Sequence, residues 1–500
     1  MKTRSSIPLN QENLHRLPEG VERPSYDRSN IATPIVHIGV GGFHRSHEAY
    51  YTDELMKQTG RTDWGICGVG LREGDRKIGE VLKKQDFLYT LIVKQPDGRI
   101  GTRVIGSIAD FMLGCDDPGP VISKMASPDT KIVSLTITEG GYNFNPATGE
   151  FDFDNPDVRH DLDNPSNPKT VFGYLSAALS KRRREGLPAF TVQSCDNIQH
   201  NGDTARRMLV AFTEKQDAEL ASWIEREVSF PNAMVDRITP VTTSADIDFL
   251  DDKMGYRDEW PVTCEPFCQW VIEDEFSDGR PEWELVGAQF VADVSPYEMM
   301  KIRLLNGGHI VLGLLGSIHG HRTIDGCMAD PLFATYLRRF MDLEVTPVLD
   351  PVEGINLNQY KDSLMERFGN RSIKDSLVRI CLESSSKMPK FIIPTISENL
   401  KGGGSIEYAT LVVAAWCYYS DKGISRKGDA LEIIDEMREA LREAAAGTSR
   451  DKLSFLKLKT IFGKLADNEV FTEKYIRMVD AVYENPDIAQ QMKAVLEGRE

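Results

Sequence analysis

The sequence predicts an α/β protein in two parts, a parallel sheet covered on both faces by helices and then a largely α-helical C-terminal domain. Four short, near-continuous apolar runs carry the first half: Pro34-Ile-Val-His-Ile-Gly39, Gly65-Ile-Cys-Gly-Val-Gly70, Lys131-Ile-Val-Ser-Leu-Thr-Ile-Thr138 and Phe190-Thr-Val-Gln-Ser-Cys195. Such runs, separated by helical stretches, are the pattern of strands buried on both sides. Additional β-type pieces lie at 86–94, 233–241 and 283–290. After Pro296 strand-like runs nearly vanish, and amphipathic or apolar stretches dominate at 297–319, 330–342, 357–368, 372–386, 405–420, 428–446 and 470–480. The boundary is therefore expected near residue 290, with domains at 1–290 and 291–500. Gly402-Gly-Gly-Ser405 is too short for a linker and is expected to start a helix inside the second domain.

At 500 residues both domains have ample core, and 41% hydrophobic with 27% charged residues is the balance of an ordinary globular protein. The formal charge of −17 disfavours nucleic acid or an anionic membrane as the main partner. The basic run Lys181-Arg-Arg-Arg184 closes an expected helix before Gly186, where the helix dipole favours cations, and is read as structural. The first ten residues lack the apolar stretch of a signal peptide, and the apolar run at 408–419 is too short to span a bilayer. The eight cysteines contain no Cys-x-x-Cys pair and read as reduced core residues of a cytoplasmic protein.

The first strand runs directly into Gly39-Val-Gly41-Gly42-Phe43-His44-Arg45 and a helix. Glycines in that context let the backbone approach a pyrophosphate held at the helix N-terminus. This makes the first domain a candidate Rossmann-type dinucleotide-binding domain, with Gly39, Gly41, Gly42 and Phe43 against the cofactor. His44 replaces the third glycine of the usual pattern, and a plain glycine-rich turn stays open as the alternative. Past the second strand, Asp75 and Glu73 favour NAD by binding a ribose 2′-hydroxyl and repelling a 2′-phosphate. Arg72 and Arg76 could instead accept the phosphate of NADP. Glu139, in Thr138-Glu139-Gly-Gly-Tyr142, and Asn197, after Ser194-Cys-Asp196, follow the third and fourth strands, where ligands bind in open α/β sheets.

The second domain opens on Tyr297-Glu298-Met-Met-Lys301-Ile-Arg-Leu-Leu-Asn306-Gly-Gly-His309. At about 100° per residue, with Lys301 at zero, Glu298 falls at about 60°, His309 at about 80° and Asn306 at about 140°. Lys301, Glu298 and His309 then share one face, with Asn306 at its edge. A lysine removed from water has its pKa lowered, which suits it to accept a proton. The same residues also fit a buried Lys301–Glu298 ion pair with a satisfied core histidine. Asn197 is placed to meet this helix across a cleft between the two domains.

Taken together, Gly39-Val-Gly-Gly-Phe-His-Arg, Cys195-Asp-Asn, Val235-Asp-Arg-Ile-Thr-Pro240 and Lys301-x4-Asn306-x2-His309 resemble, in that order and over nearly the whole chain, the mannitol dehydrogenase family of long-chain, metal-independent polyol dehydrogenases. The resemblance implies an NAD-dependent oxidoreductase interconverting a polyol and its ketose, with D-mannitol and D-fructose as the expected pair. It implies Lys301 as general base, Asn197 and Asn306 as amide donors to the developing alkoxide, His309 holding substrate and lysine in register, and Glu298 as a proton exit. Asp236, Arg379 and Lys387 match positions that contact substrate hydroxyls; no metal is implied, and the chain is expected to be a monomer or weak oligomer.

Rival chemistries fare worse. Tyr297-x3-Lys301 imitates the pair of short-chain dehydrogenases, but those chains are shorter and carry the lysine in the nucleotide domain. His319-Gly-His321 is too tightly spaced for a typical catalytic zinc set. A non-catalytic NAD-binding scaffold would be expected to have lost the lysine or the amide pair. Within the family, a fructuronate or tagaturonate reductase is the alternative, with Arg379 and Lys387 serving a carboxylate.

Overall fold

The computed structural model describes residues 6–145 and 149–498. The reading of the N-terminus rests partly on residues 1–5, which lie outside that range. Two compact units are present, one of Met1–Gln95 with Arg99–Ser295 and one of Pro96–Gly98 with Pro296–Glu500.

The first unit is organised by five parallel strands: β1 (Ile35–Ile38), β2 (Ile66–Gly70), β3 (Ile108–Leu113), β4 (Ile132–Leu135) and β5 (Thr191–Ser194). Their order across the sheet is β3-β2-β1-β4-β5. Ile35 is in register with both Ile66 and Ile132, and Ile132 with Thr191. This is the doubly wound Rossmann order, whose direction reverses between β1 and β4 and opens a ligand crevice at their carboxyl ends. Ile35, Val36, Ile66, Val69, Ile132, Val133 and Val192 are all fully buried, which is why these runs do not alternate with polar residues.

The edge strand β3 was not anticipated, because Ile-Ala-Asp-Phe-Met-Leu is only partly buried and lacks the apolar signature of its neighbours. The piece at 86–94 forms strand only over Tyr89–Lys94, since Asp86 and Phe87 take left-handed backbone angles of 51° and 62°. The piece at 283–290 is mostly a 3-10 turn, Trp283–Val286. Its aromatic residue serves the core, with the indole N–H donating to Thr52 Oγ1 at 3.2 Å. The basic run closes the helix Val171–Glu185, which stops at Gly186 with φ 68°. Its Arg182 is buried and donates to the carbonyls of Pro188, Ser127 and Thr130.

The second unit is helical. Its central element, Gly307–His319, packs against Leu377–Cys381 and Glu407–Lys422. Gly313 permits the first of these contacts, because a Cβ there would lie 2.8 Å from Ile380 Cγ2 and 3.0 Å from Cys381 Sγ. The expected helix at 372–386 is corrected to two, Leu377–Cys381 and Ser384–Phe391, parted where Glu383 adopts φ 51°. The stretch 428–446 is helical only over Arg438–Ala446. Among the cysteines, Cys115 is exposed, which corrects the expectation of eight core thiols. No helix among the described residues is long and apolar enough to cross a membrane.

Candidate active site

In the first unit the glycine turn sits at the reversal point of the sheet. Gly39 has φ 98°, and a Cβ on it would lie 2.1 Å from the carbonyl oxygen of Thr136, so only glycine fits. The Thr136 hydroxyl donates to the Gly39 carbonyl at 2.6 Å, and the Gly41 N–H donates to that carbonyl at 2.7 Å. Gly41 then caps a five-residue helix, Gly42–Ser46, which breaks at His47 before Glu48–Thr59 resumes. Gly42 keeps ordinary space, its nearest neighbour being Thr239 Cγ2 at 3.6 Å. Phe43 stacks on His47, with ring centroids 4.9 Å apart.

His44 and Arg45 point inward. Arg45 is 2% exposed, donates to the Trp260 carbonyl at 2.6 Å and lies over the Tyr89 ring. His44 stacks on His37 at 3.4 Å. Glu48 Oε2 lies 2.9 Å from His37 Nδ1 and 3.2 Å from His44 Nδ1, and accepts from the Ser134 hydroxyl at 3.0 Å. Burial pushes the His44 imidazole down to about 3, while the two histidines hold the Glu48 carboxyl well below its ordinary range despite burial. His37 Nε2 in turn sits 3.3 Å from the Gly39 carbonyl. The glycine turn is thus anchored from beneath by a buried His37–Glu48–His44 cluster that the sequence did not disclose. The available signal was a histidine in the middle of an all-buried strand, which has to find a partner.

At the end of β2, Asp75 Oδ2 accepts the Arg72 backbone N–H at 2.9 Å and closes a one-turn 3-10 helix. Arg76 is engaged by two carboxylates, Glu73 at 2.6 and 2.8 Å and Asp116 at 2.6 and 3.0 Å. Its guanidinium is therefore answered by two carboxylates, and the surroundings are acidic. These residues suit a dinucleotide ending in a free ribose hydroxyl.

Glu139 lies in the exposed turn Thr138–Gly141. Asp196 holds that turn, accepting from the backbone N–H groups of Ile137 (3.0 Å) and Thr138 (2.8 Å) and from the Tyr142 hydroxyl (2.9 Å). Thr138 tolerates φ 61° under this restraint. Asn197 follows directly and is exposed. Asp236 ends the strand Ala233–Asp236 and is 4% exposed. Beside it Arg237 donates to the Glu265 and Ser46 carbonyls and lies over Tyr50.

In the second unit the Lys301 segment is not a plain α-helix. Ser295–Met300 is α-helical, Lys301–Asn306 is a π-helix, and Gly307–His319 is α-helical again, with the Gly307 N–H reaching the Ile302 carbonyl five residues back. The α-helical wheel drawn from the sequence is corrected accordingly. A π-turn holds about 4.4 residues, or about 80° per residue, which brings Asn306 to about 50° and His309 to about −10°. With Glu298 at about 60°, all four side chains fall within about 70° instead of about 140°, and Asn306 moves from the edge of the face into it. Glu298 and Lys301 are 4% and 7% exposed. Arg303, the other cation, is turned to Glu398 and the Val348 carbonyl. The Tyr297 hydroxyl donates to the Glu353 carbonyl at 2.8 Å, and burial raises its pKa. Both features speak against a catalytic tyrosine. His309 packs on Phe368 at 4.6 Å.

Arg379, in Leu377–Cys381, pairs with Asp375 one turn earlier. Lys387 donates to the Ile380 carbonyl at 2.9 Å, and burial lowers its pKa.

Comparison with known proteins agrees with this division. The profile of the mannitol dehydrogenase Rossmann domain matches residues 33–285, and that of the mannitol dehydrogenase C-terminal domain matches residues 293–493. Mannitol 2-dehydrogenase of Aspergillus fumigatus is 45% identical over 483 residues, 95% of each chain. Mannitol dehydrogenase 2 of Saccharomyces cerevisiae is 43% identical over 97% of each. Among solved structures, the Pseudomonas fluorescens mannitol 2-dehydrogenase ternary complex with NAD and D-mannitol superposes with a TM-score of 0.87 at 47% identity, covering 98% of this chain and 100% of that one. A D-sorbitol dehydrogenase in substrate-free form gives 0.90 at 36% identity, covering 97% and 100%. With both of its units matched, the chain belongs to the mannitol dehydrogenase family.

Proposed function

We propose that this protein interconverts D-mannitol and D-fructose with NAD as the hydride carrier. Family membership makes it an NAD-dependent polyol dehydrogenase; the sugar and the residue roles are our assignment. The observation that carries the chemistry is the π-to-α segment, which puts a buried lysine, an amide and an imidazole on one narrow face. The observation that supports the sugar is the 47% identity, over 98% of the chain, to a protein crystallised with NAD and D-mannitol.

In the oxidising direction the neutral Lys301 amine takes the proton of the substrate's secondary hydroxyl. NAD held at the glycine turn would supply the acceptor for the hydride leaving the same carbon, so that a carbonyl is formed. Asn197 and Asn306 donate amide N–H groups to the oxygen as charge develops on it. His309 orients that oxygen, Glu298 takes the proton onward from Lys301, and Asp236, Arg379 and Lys387 hold the remaining hydroxyls. Gly39, Gly41, Gly42 and Phe43 would hold the cofactor's pyrophosphate, Asp75 its ribose, and Glu139 would contribute to the same cofactor site. A proton is released on oxidation, so ketose reduction is favoured toward lower pH.

Lys387 supports one second reading. A partly buried cation in that position also suits a carboxylate, as in a fructuronate or tagaturonate reductase. NADH oxidation followed at 340 nm (about where reduced nicotinamide absorbs) with fructose, fructuronate and tagaturonate separates the two. Fructose is expected to be preferred by more than about tenfold in kcat/KM, a margin of about 1.4 kcal/mol. A preference for either uronate overturns the sugar assignment. Replacing NADH by NADPH is expected to lower kcat/KM strongly; equal use of both would remove the role given to Asp75 and the Glu73–Arg76–Asp116 cluster.

A further inference from the structure

His319 and His321, set aside as a catalytic zinc pair, are brought together by the fold with a third ligand-type group. The helix Gly307–His319 ends at Gly320 with φ 97°, and the N–H groups of Gly320 and His321 both return to the Gly316 carbonyl. This left-handed close turns the chain back so that the two imidazoles stack at 4.9 Å. Phe333 meets both rings edge-on, at 5.2 and 5.0 Å, and fixes their orientation. Asp330 caps the helix Pro331–Phe340 through Oδ1, which accepts the Leu332 N–H at 2.9 Å. That bond leaves Oδ2 aimed at His321 Nε2, 3.9 Å away. His319 Nδ1 and His321 Nε2 are shielded from solvent and make no hydrogen bond among the described residues. One ligand atom from each of His319, His321 and Asp330 lies within 4.8 Å of the others.

We propose that His319, His321 and Asp330 form a binding site for a divalent transition-metal ion of the zinc type, separate from the dehydrogenase chemistry. Two imidazoles and one carboxylate are the donor set such an ion takes, with water completing a tetrahedron. Ligand bonds of about 2.0–2.1 Å require donor atoms about 3.3 Å apart. Bringing Asp330 Oδ2 and His321 Nε2 from 3.9 Å to that spacing takes a movement of about 0.6 Å. The cap bond to Asp330 supplies the orienting partner that ligating carboxylates usually have. Nearby cations moderate the affinity: Arg426 is answered by Asp487, and Lys427 lies against Gly320. His319 lies ten residues beyond His309 on one helix, about 15 Å along it, too far to touch the substrate oxygen. A bound ion would therefore tie the C-terminus of Gly307–His319 to the N-terminus of Pro331–Phe340.

The test uses the full chain, stripped with EDTA and titrated with zinc chloride against a chromophoric chelator, with melting followed in parallel. One zinc per chain and a zinc-dependent rise in Tm are expected, both weakening below about pH 6 as the imidazoles protonate. Asp330→Asn keeps the helix cap and removes the charge, and His321→Gln removes one imidazole. Each is expected to weaken zinc binding about tenfold or more and to abolish the Tm rise, with the zinc-free Tm close to that of the parent. Absence of stoichiometric binding overturns the proposal, as does binding unchanged in both variants. Cys115→Ser should leave binding untouched; loss of zinc there would place the ion at the exposed Glu73–Cys115–Asp116 group instead.

Discussion

Two almost completely buried carboxylates, one from each unit, are treated in opposite ways. Glu48, beneath the glycine turn, is 1% exposed and is held ionised by His37 and His44. Glu344, at the start of Glu407–Lys422, is fully buried and accepts from the Tyr408 and Ala409 N–H groups and the Ser405 hydroxyl. Burial nevertheless pushes Glu344 up to about 7, with Glu407 adding to the rise. Neutral donors offset only part of a desolvation cost that imidazole partners overcome. The nucleotide unit uses its buried charge to brace backbone, around a turn where only glycine fits. The helical unit uses backbone, through a change of helix type, to bring side chains together.

The largest expected effect breaks the helical half alone. Lys301→Ala should lower kcat for polyol oxidation by about a hundred- to ten-thousandfold, with NADH affinity by fluorescence unchanged. A loss under fivefold would take the base role from Lys301. Next, two glycine substitutions probe the nucleotide half. Gly39→Ala drives a Cβ into the Thr136 carbonyl at a left-handed φ and should cost about 1–3 kcal/mol of stability along with NAD binding. Gly42→Ala meets only ordinary contact and should keep the parent Tm within a degree or two while still raising KM for NAD. If the two variants melt alike, backbone geometry is not what distinguishes these positions.

The smallest effect is the most direct measure of the contrast. His44 titrates at about 3 in the fold against an ordinary 6.5, and Glu48 is also lowered. The His44 contribution is fully present above about pH 6.5 and is lost as pH falls toward 3, while that of Glu48 is fully present above 4.5 and is lost only below it. Glu344 is raised from 4.5 to about 7. Its contribution is greatest below 4.5 and is lost as pH rises through 7. Hydrogen exchange, corrected for intrinsic rates, should show the first unit loosening between pH 7 and 5 and the second tightening over the same interval. Glu344→Gln should flatten the second trend, and Glu48→Gln should destabilise the first unit by about 2–3 kcal/mol at pH 7.5. Parallel trends in both units would dissolve the distinction.

Much of this was legible in residue order. Strands β1, β2, β4 and β5 announced themselves as apolar runs, because both faces are covered. The glycine turn and the spacing of Lys301, Asn306 and His309 were visible as motifs. The π-helix was not, since side-chain spacing alone does not say which carbonyl each N–H will choose. The His37–Glu48–His44 cluster escaped because its members come from a strand and two helices, each unremarked alone. Asp196 was seen at a strand end, but its hold on the Thr138 turn depends on a neighbouring strand set by the sheet order.

The π-helix lets the Lys301 segment hold a residue to spare without losing its face. Between Met300 and Gly307 the segment holds about one residue more than regular α-helix needs for the same number of turns. Deleting one apolar residue there, such as Leu304, would let the hydrogen-bond ladder run unbroken and give a more regular helix. Asn306 would then fall at about 40° and His309 at about −20° from Lys301, so a regular helix one residue shorter would present nearly the same face. The π-turn is what lets this segment carry a surplus residue while its flanking side chains stay in phase.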